Sequence, residues 1–183
     1  MIVALQKRKE NIAEYLLYMW QVEDMIRANH FDMEAITTHI ISQYNQPDDI
    51  KKEIYRWYEE LIEMMRGEGV MEQGHLQINN NVIITLTDLH LRLLKSTKEM
   101  IYHAAYYKAL PAIVQLRSKA GGKELSEIET CFTAIYGYLL LRMQGKPIST
   151  ETTESIKLIT AFLAILSEKQ KEDKNGLLTI EEE

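Results

Sequence analysis

Glycine and proline are scarce in this chain, which has 183 residues but only 8 Gly and 3 Pro. These two residues mark most turns, so a chain that holds few of them folds into a few long elements. Hydrophobic residues make up 46% of the sequence, which is enough to build a core for one domain of this length. Few marked turns and long elements favour helices.

Hydrophobic residues recur at the three- and four-residue intervals of a helix face. The first predicted helix spans Val3–Asn29, and its stripe is formed by Ile12, Leu16, Met19 and Ile26. The clearest amphipathic pattern follows Pro47, with a stripe formed by Ile50, Ile54, Trp57, Leu61 and Met64. Helix two begins at the N-cap Asp32, helix five begins at Ser126, which is in capping-box spacing with Glu129, and helix six begins near Thr150.

The fourth predicted helix begins near Asn80 or Asn81 and buries a stripe formed by Val82, Leu86, Leu89 and Leu93. Its pattern continues toward Lys119, and Ala120–Gly122 predict a stop. Pro111 lies within that span and predicts a kink, while a break between Ser96 and Tyr102 is the alternative. The sequence therefore predicts an all-α protein, a single helical bundle of about six helices with a long, kinked or broken central segment. Residues 1–175 are predicted to form one domain, and residues 176–183 a flexible acidic tail.

Charge and cysteine content exclude several classes of function. The net charge is -6, and the one dense basic cluster, Lys7–Lys9, is followed at once by Glu10, which argues against nucleic-acid binding. Cys131 is the sole cysteine, so neither an internal disulfide nor a cysteine zinc site within one chain can form. The N-terminus lacks a secretory hydrophobic region and no hydrophobic run reaches membrane-spanning length, which predicts a cytoplasmic protein.

Standard catalytic signatures are missing from the sequence. Neither phosphate-binding glycine motif occurs, and the single Glu-x-x-His spacing, Glu72 to His75, lies in a glycine-marked loop. Glu99 and His103 are four residues apart, but one such pair does not make a ligand set. The sequence predicts no catalytic residue, no metal and no cofactor.

One polar group interrupts the hydrophobic stripe of the first helix. Glu23 falls on that stripe, and an unpaired buried carboxylate is very costly, so it needs a partner. Arg27, one turn further on, is the candidate for a structural ion pair. The alternative is a ligand-binding pocket between helices one and four that comprises Glu23, Arg27, His90 and Arg92.

The last two predicted helices carry features of an interface. Helix six is hydrophobic nearly all round, and helix five has small residues at helical spacing, Thr130, Ala134 and Gly137. A helix that is hydrophobic nearly all round is either central in the bundle or forms half of a subunit interface. Self-association through helix five or six is therefore predicted.

Several segments resemble a family of small proteins from Bacteroidetes that is known as a domain of unknown function. The resemblance rests on Lys9–Asp24, Leu89–Leu94, Tyr106–Pro111 and Glu127–Phe132 and covers nearly the whole chain. It implies a helical protein and carries no activity, substrate or cofactor. The sequence thus predicts a non-catalytic protein-interaction or assembly domain, with a homodimer as one form. The alternative is a small-ligand-binding or enzymatic bundle.

Overall fold

The computed structural model describes residues 2–119 and 125–178. Within these ranges the chain forms eight α-helices and one short 3-10 helix, and no β-strand. The α-helices are Ile2–Glu10 (α1), Ile12–Ala28 (α2), Met33–His39 (α3), Asp48–Gly67 (α4), Gln77–Lys95 (α5), Met100–Lys119 (α6), Glu127–Met143 (α7) and Thr150–Lys174 (α8). The 3-10 helix is Ile41–Gln43. The all-α prediction is confirmed.

The predicted count of about six helices is not matched exactly, because two predicted helices are each divided in two. The first divides at Asn11, whose Oδ1 accepts a hydrogen bond from the backbone N–H of Ala13 at 3.0 Å and so caps α2. The fourth divides between Lys95 and Met100, where Ser96 Oγ accepts from the N–H of Lys98 at 3.4 Å. The second division falls within the span that the sequence left open for a break.

The predicted kink at Pro111 is not what divides the central segment. Pro111 lies inside α6, which continues to Lys119. The break comes before that helix begins, so the proline and the break are separate features. The predicted stop at Ala120–Gly122 and the last five residues of the predicted tail, 179–183, lie outside the described residues.

The chain divides into two compact units. The first contains α1 and Glu14–Asn81, and the second contains Asn11–Ala13 and the residues from Val82 onward. The prediction of one domain over residues 1–175 stays a prediction. None of the described helices has both the length and the hydrophobic character needed to cross a bilayer.

The first unit is built on the predicted stripe of the first helix. Leu16 and Ile26 are completely buried, and Met19 is nearly so. In α4 the buried face is turned relative to the prediction, because Tyr58 and Met65 are completely buried whereas Trp57 and Met64 are half-buried. The first unit therefore gains a buried tyrosine that the hydrophobic pattern did not indicate.

In the second unit α6, α7 and α8 pack against one another pairwise. The predicted stripe of α5 is buried as expected, and its members are Val82, Leu86, Leu89 and Leu93. Phe132 of α7 and Phe162 of α8 are completely buried. This core surrounds His90, whose ring centroid lies 5.7 Å from that of Phe162.

Candidate functional site

Glu23 is a completely buried carboxylate in the first unit. Three groups of the described residues hydrogen-bond to it: Nδ1 of His75 at 2.6 Å, the backbone N–H of Leu76 at 3.0 Å and Nδ2 of Asn79 at 2.6 Å. All three meet it at the N-terminus of α5, where backbone N–H groups lack helical partners. These hydrogen bonds offset the cost of burying the carboxylate.

The His75 ring is fixed on its face as well as on its edge. It stacks on Trp20 of α2, with the ring centroids 4.1 Å apart and the planes 8° from parallel. An ionised carboxylate only accepts hydrogen bonds, so the proton between His75 and Glu23 belongs to Nδ1 of the ring. In the neutral ring Nε2 carries a lone pair, and it has no partner among the described residues. The His75 side chain is 29% exposed.

Arg27 does not form the predicted ion pair with Glu23. Its Nη1 pairs instead with Asp24 at 2.8 Å, and its Nη2 donates to the backbone carbonyls of Val70 and Gly74. Because both carbonyls belong to the loop that precedes α5, Arg27 fastens this loop to α2. The prediction of an ion pair between Glu23 and Arg27 is therefore wrong, because each of the two side chains pairs with other residues.

A buried acceptor remains beside Glu23. Asn79 is completely buried, and its Nδ2 faces the carboxylate. Its Oδ1 consequently points elsewhere and has no partner among the described residues. Unpaired buried polar atoms are few in folded proteins and mark strain, function or an ordered water molecule.

Sequence reasoning missed His75. It was considered only as the second member of the Glu72 spacing, whereas the carboxylate that it meets is Glu23, on another helix. One signal pointed to it indirectly. A carboxylate on a hydrophobic stripe demands donors, and a histidine in a loop is one of the few side chains that can supply them.

His90 lies in the second unit, at the centre of a buried polar network. Its Nδ1 is 2.6 Å from the Tyr102 hydroxyl and its Nε2 is 3.3 Å from Oε2 of Glu127. Tyr106 donates to the same carboxylate oxygen at 2.8 Å, and Arg117 is 3.8 Å from the other oxygen. Both ring nitrogens of His90 are thus occupied.

The chemistry of this network fixes its protons. In the neutral ring, Glu127 accepts from Nε2–H and Nδ1 accepts the Tyr102 hydroxyl proton. Burial lowers the pKa of His90, while the hydrogen bond and charge of Glu127 act in the opposite direction. Burial also raises the pKa of Tyr102, with the nearby Cys131 and Tyr106 adding to the rise. Such a network fills and orders the core, and it leaves no ring nitrogen for a ligand.

The fourth predicted pocket residue, Arg92, also lies in the second unit. Its Nη2 pairs with Oδ2 of Asp173 in α8 at 2.7 Å. The structure therefore brings Glu23 close to His75, and His90 close to Glu127. The pocket that would join Glu23, Arg27, His90 and Arg92 stays a prediction.

The family model for a domain of unknown function, DUF4924, matches residues 1–177 of the chain. The chain belongs to the DUF4924 family. The prediction of a family of unknown function is confirmed, and the match covers nearly the whole sequence. No curated protein and no solved structure matches this DUF4924 chain.

Other polar side chains that the sequence singled out also have partners in this DUF4924 chain. Lys7 pairs with Glu14 at 3.0 Å, and the guanidinium of Arg8 lies 5.5 Å from the centre of the Tyr15 ring. Glu99 pairs with Lys169 of α8, whereas Nε2 of His103 contacts the carbonyl of Leu93. Across residues 2–119 and 125–178, no three His, Cys, Asp or Glu side chains form a metal-binding group.

Proposed function

We propose that this protein is a helical interaction domain that self-associates through one face of α6. The observation that supports the proposal is a stripe of exposed residues on that helix, here called the α6 stripe. Its members are Met100, Ala104, Tyr107, Pro111 and Val114. The spacing between them alternates between four and three residues, which is the spacing of a helix face that packs against another helix.

The α6 stripe is exposed to a degree that is unusual for large side chains. Met100 is 74% exposed, Tyr107 is 62% exposed and Val114 is 56% exposed. Ile101, beside the stripe, is 78% exposed. The opposite face of the helix is already occupied, since Tyr102, Tyr106, Ala109 and Ile113 are buried. An exposed hydrophobic row of this kind marks an interaction surface.

A second copy of the chain is the occupant that fits the α6 stripe. Two copies of α6 that pair antiparallel about Tyr107 place Met100 of each copy opposite Val114 of the other. The same patch then serves both subunits, as a two-fold interface requires. The stripe has no charged member, so copies with a net charge of -6 bring no like charges into the row.

This assignment differs from the helices that the sequence favoured, which correspond to α7 and α8. On α8, Ile159, Phe162 and Leu166 are completely buried, whereas Leu158 is 41% exposed. On α7, a side chain built at Gly137 would meet no other atom within 4 Å among those described, so no described helix approaches closely there. The α6 stripe therefore offers the larger exposed hydrophobic row.

The test is the oligomeric state of the whole chain over a concentration series, measured by sedimentation velocity. The wild-type protein is expected to form a dimer, and Tyr107→Glu is expected to stay monomeric because it places charge at the centre of the row. Ile84→Glu is the matched control, since Ile84 is a 53% exposed residue of α5 outside the stripe. A wild-type protein that is monomeric at every concentration would refute self-association.

A second candidate function is the binding of a small molecule beside Glu23. The unpaired Oδ1 of the buried Asn79 supports it, because a hydrogen-bond donor from a ligand would satisfy that atom. Native mass spectrometry of the purified protein tests this function. The expected result is a bound small molecule in the wild type that is lost in Asn79→Ala, and its absence from the wild type would count against this candidate.

The proposal includes a cellular setting, the cytoplasm of a bacterium of the Bacteroidetes. The single cysteine, Cys131, is free and buried, and a chain without an internal disulfide is compatible with the reducing cytoplasm. Fractionation of cells that express the protein from its own promoter tests it. Recovery of the protein outside the cytoplasmic fraction would contradict this part of the proposal.

A further inference from the structure

The His75 ring combines two properties that His39, His90 and His103 do not share. It pairs through Nδ1 with a completely buried carboxylate, and its Nε2 is left without a partner among the described residues. His90 uses both ring nitrogens, and Nε2 of His103 is taken by a backbone carbonyl. His39 meets a neutral amide, since its Nδ1 is 2.8 Å from Oδ1 of Asn29.

The backbone at His75 and at its two neighbours, Gly74 and Leu76, is also held by hydrogen bonds with side chains. Arg27 holds the carbonyl of Gly74, Asn80 donates to the carbonyl of His75 at 3.1 Å, and Glu23 accepts from the N–H of Leu76. Together with the Trp20 stack, these contacts fix the ring in one position although it is 29% exposed. A partly exposed side chain fixed this firmly is preorganised, which is what a reacting group requires.

The contact with Glu23 determines what the ring can do. Because Nδ1 keeps its proton, Nε2 presents a lone pair that can accept one from outside. When Nε2 takes up a proton the ring becomes cationic, and the buried carboxylate beside Nδ1 stabilises that charge without moving. An imidazole supported in this way by a carboxylate is the arrangement of a general base.

We propose that His75 is a general base that activates water for the hydrolysis of a small, uncharged carboxylic ester. Nε2 takes one proton from the water molecule while its oxygen bonds to the acyl carbon, and the alkoxide leaves as the acyl–oxygen bond breaks. The products are the acid and the alcohol, and the ring returns its proton to the leaving group or to solvent. An uncharged ester is specified because the nearby cation, Arg27, is already engaged with Asp24 and two carbonyls.

This activity rests on the second candidate function, in which a small molecule binds beside Glu23, and no residue of the α6 stripe takes part in it. The probe is p-nitrophenyl acetate, with release of p-nitrophenolate as the readout. The full-length wild type is expected to hydrolyse it faster than buffer, and more slowly in deuterium oxide because a proton moves in the step. His75→Gln is expected to reduce the rate to that of buffer, while the matched variant His39→Gln retains the wild-type rate.

Glu23 acts here as a positioning residue, and Glu23→Gln tests that role. The folded variant is expected to hydrolyse the ester more slowly and with an altered pH profile, because the ring loses its anionic support. Should Glu23→Gln fail to fold, the comparison of His75→Gln with His39→Gln still decides the proposal.

Three results would overturn the proposal of a general base. The first is equal rates for His75→Gln and the wild type, and the second is a wild-type rate no higher than that of buffer. The third is an acyl group that accumulates on His75, because it would make the ring a nucleophile. A small molecule that native mass spectrometry finds bound in a protein without esterase activity would leave the second candidate function standing and remove this one.

Discussion

Nδ1 of His75 lies 2.6 Å from Oε2 of Glu23, although 52 positions separate the two residues in the sequence. The contact joins the loop before α5 to the middle of α2. The same carboxylate accepts the N–H of Leu76 and Nδ2 of Asn79, so one buried side chain fixes a loop and the start of a helix. Glu23 therefore stabilises the fold of the first unit and also positions the His75 ring for its proposed chemistry.

Replacing Glu23 with Gln is expected to destabilise the protein by about 3 kcal/mol, because an amide directs its own N–H groups at donors that have no other acceptor. The measurement is the free energy of unfolding from urea denaturation. Glu63→Gln is the control, since that carboxylate is 72% exposed and pairs with Arg66 on the same helix. Exposed pairs contribute little, so the control is expected to match the wild type. Equal stability for Glu23→Gln would show that the buried carboxylate is not required.

Gly74→Ala is expected to destabilise the protein by about 1 kcal/mol. The reason is backbone conformation, because Gly74 has a φ of +87° while its nearest neighbour, Val70 Cγ1, is an ordinary 3.6 Å from the position of an added Cβ. Gly67→Ala is the matched control. Gly67 is the last residue of α4, with nothing within 4 Å, and alanine there is expected to be neutral or stabilising. Urea denaturation of the two variants measures both effects, and equal shifts would contradict the strain argument.

Cys131 is expected to resist alkylation by iodoacetamide in the native protein. The thiol is completely buried, and burial raises its pKa, with the charge of Glu127 adding to the rise. The reactive form of cysteine is the thiolate, so both effects slow the reaction. Intact mass spectrometry gives a direct readout because the chain has 1 Cys, and urea is expected to restore labelling. Rapid labelling without denaturant would show that the second unit opens around α7.

The hydrophobic stripes were predictable from the sequence because they repeat locally. Leu16, Met19, Ile26 and the stripe of α5 are buried as their spacing indicated. The same spacing identified Glu23 as a carboxylate that needs a partner. It could not identify the partner, because His75 lies in a loop and a loop has no periodicity to place its side chains.

Helix boundaries were less predictable where the capping group comes from elsewhere in the chain. Asn80 and Asn81 are good local start signals, yet α5 begins at Gln77. The N–H of Gln77 is accepted by Glu68 at 2.6 Å, and that of Leu76 by Glu23. Hydrogen bonds to these two carboxylates therefore allow α5 to begin earlier in the sequence than its local capping residues predict.

Asn11 shows the opposite difficulty. It caps α2 locally, but the hydrophobic spacing continues through it and predicted a single helix. The hydrophobic spacing suggested one helix through this residue, but an asparagine side chain competes for nearby backbone N–H groups. Here it caps α2 and separates it from α1. In α4, Tyr58 is buried in place of Trp57 because the buried face turns by one residue, and spacing alone does not fix that rotation.

The stability of the protein is expected to fall as pH decreases below 6.5, and His90 is expected to contribute to that fall. Burial lowers the pKa of His90 from its ordinary value of 6.5, so its neutral form is favoured in the folded state. Above 6.5 the ring is neutral in both states, and its contribution to stability is fully present. As pH falls, the unfolded chain binds the proton first, and the contribution is lost until pH passes the folded pKa.

The groups that face His90 support this direction. Tyr102 and Tyr106 of α6 are neutral hydroxyls, and Phe162 of α8 is apolar. Among the described residues, Glu127 of α7 is the one anion that hydrogen-bonds to the ring. Glu127 favours the charged ring and opposes the effect of burial, but the net direction of the pKa shift is downward.

His90→Gln isolates the contribution of the ring, because glutamine can donate to Glu127 and accept from Tyr102 without titrating. The free energies of unfolding of the wild type and the variant are compared by urea denaturation over a pH series that crosses 6.5. Above that value the wild type is expected to be the more stable by a constant amount, since the smaller amide leaves space in the core. Below it the difference is expected to shrink, because only the wild type loses stability through His90. A difference that grows as pH falls would mean that the charged ring is the form that the folded core prefers.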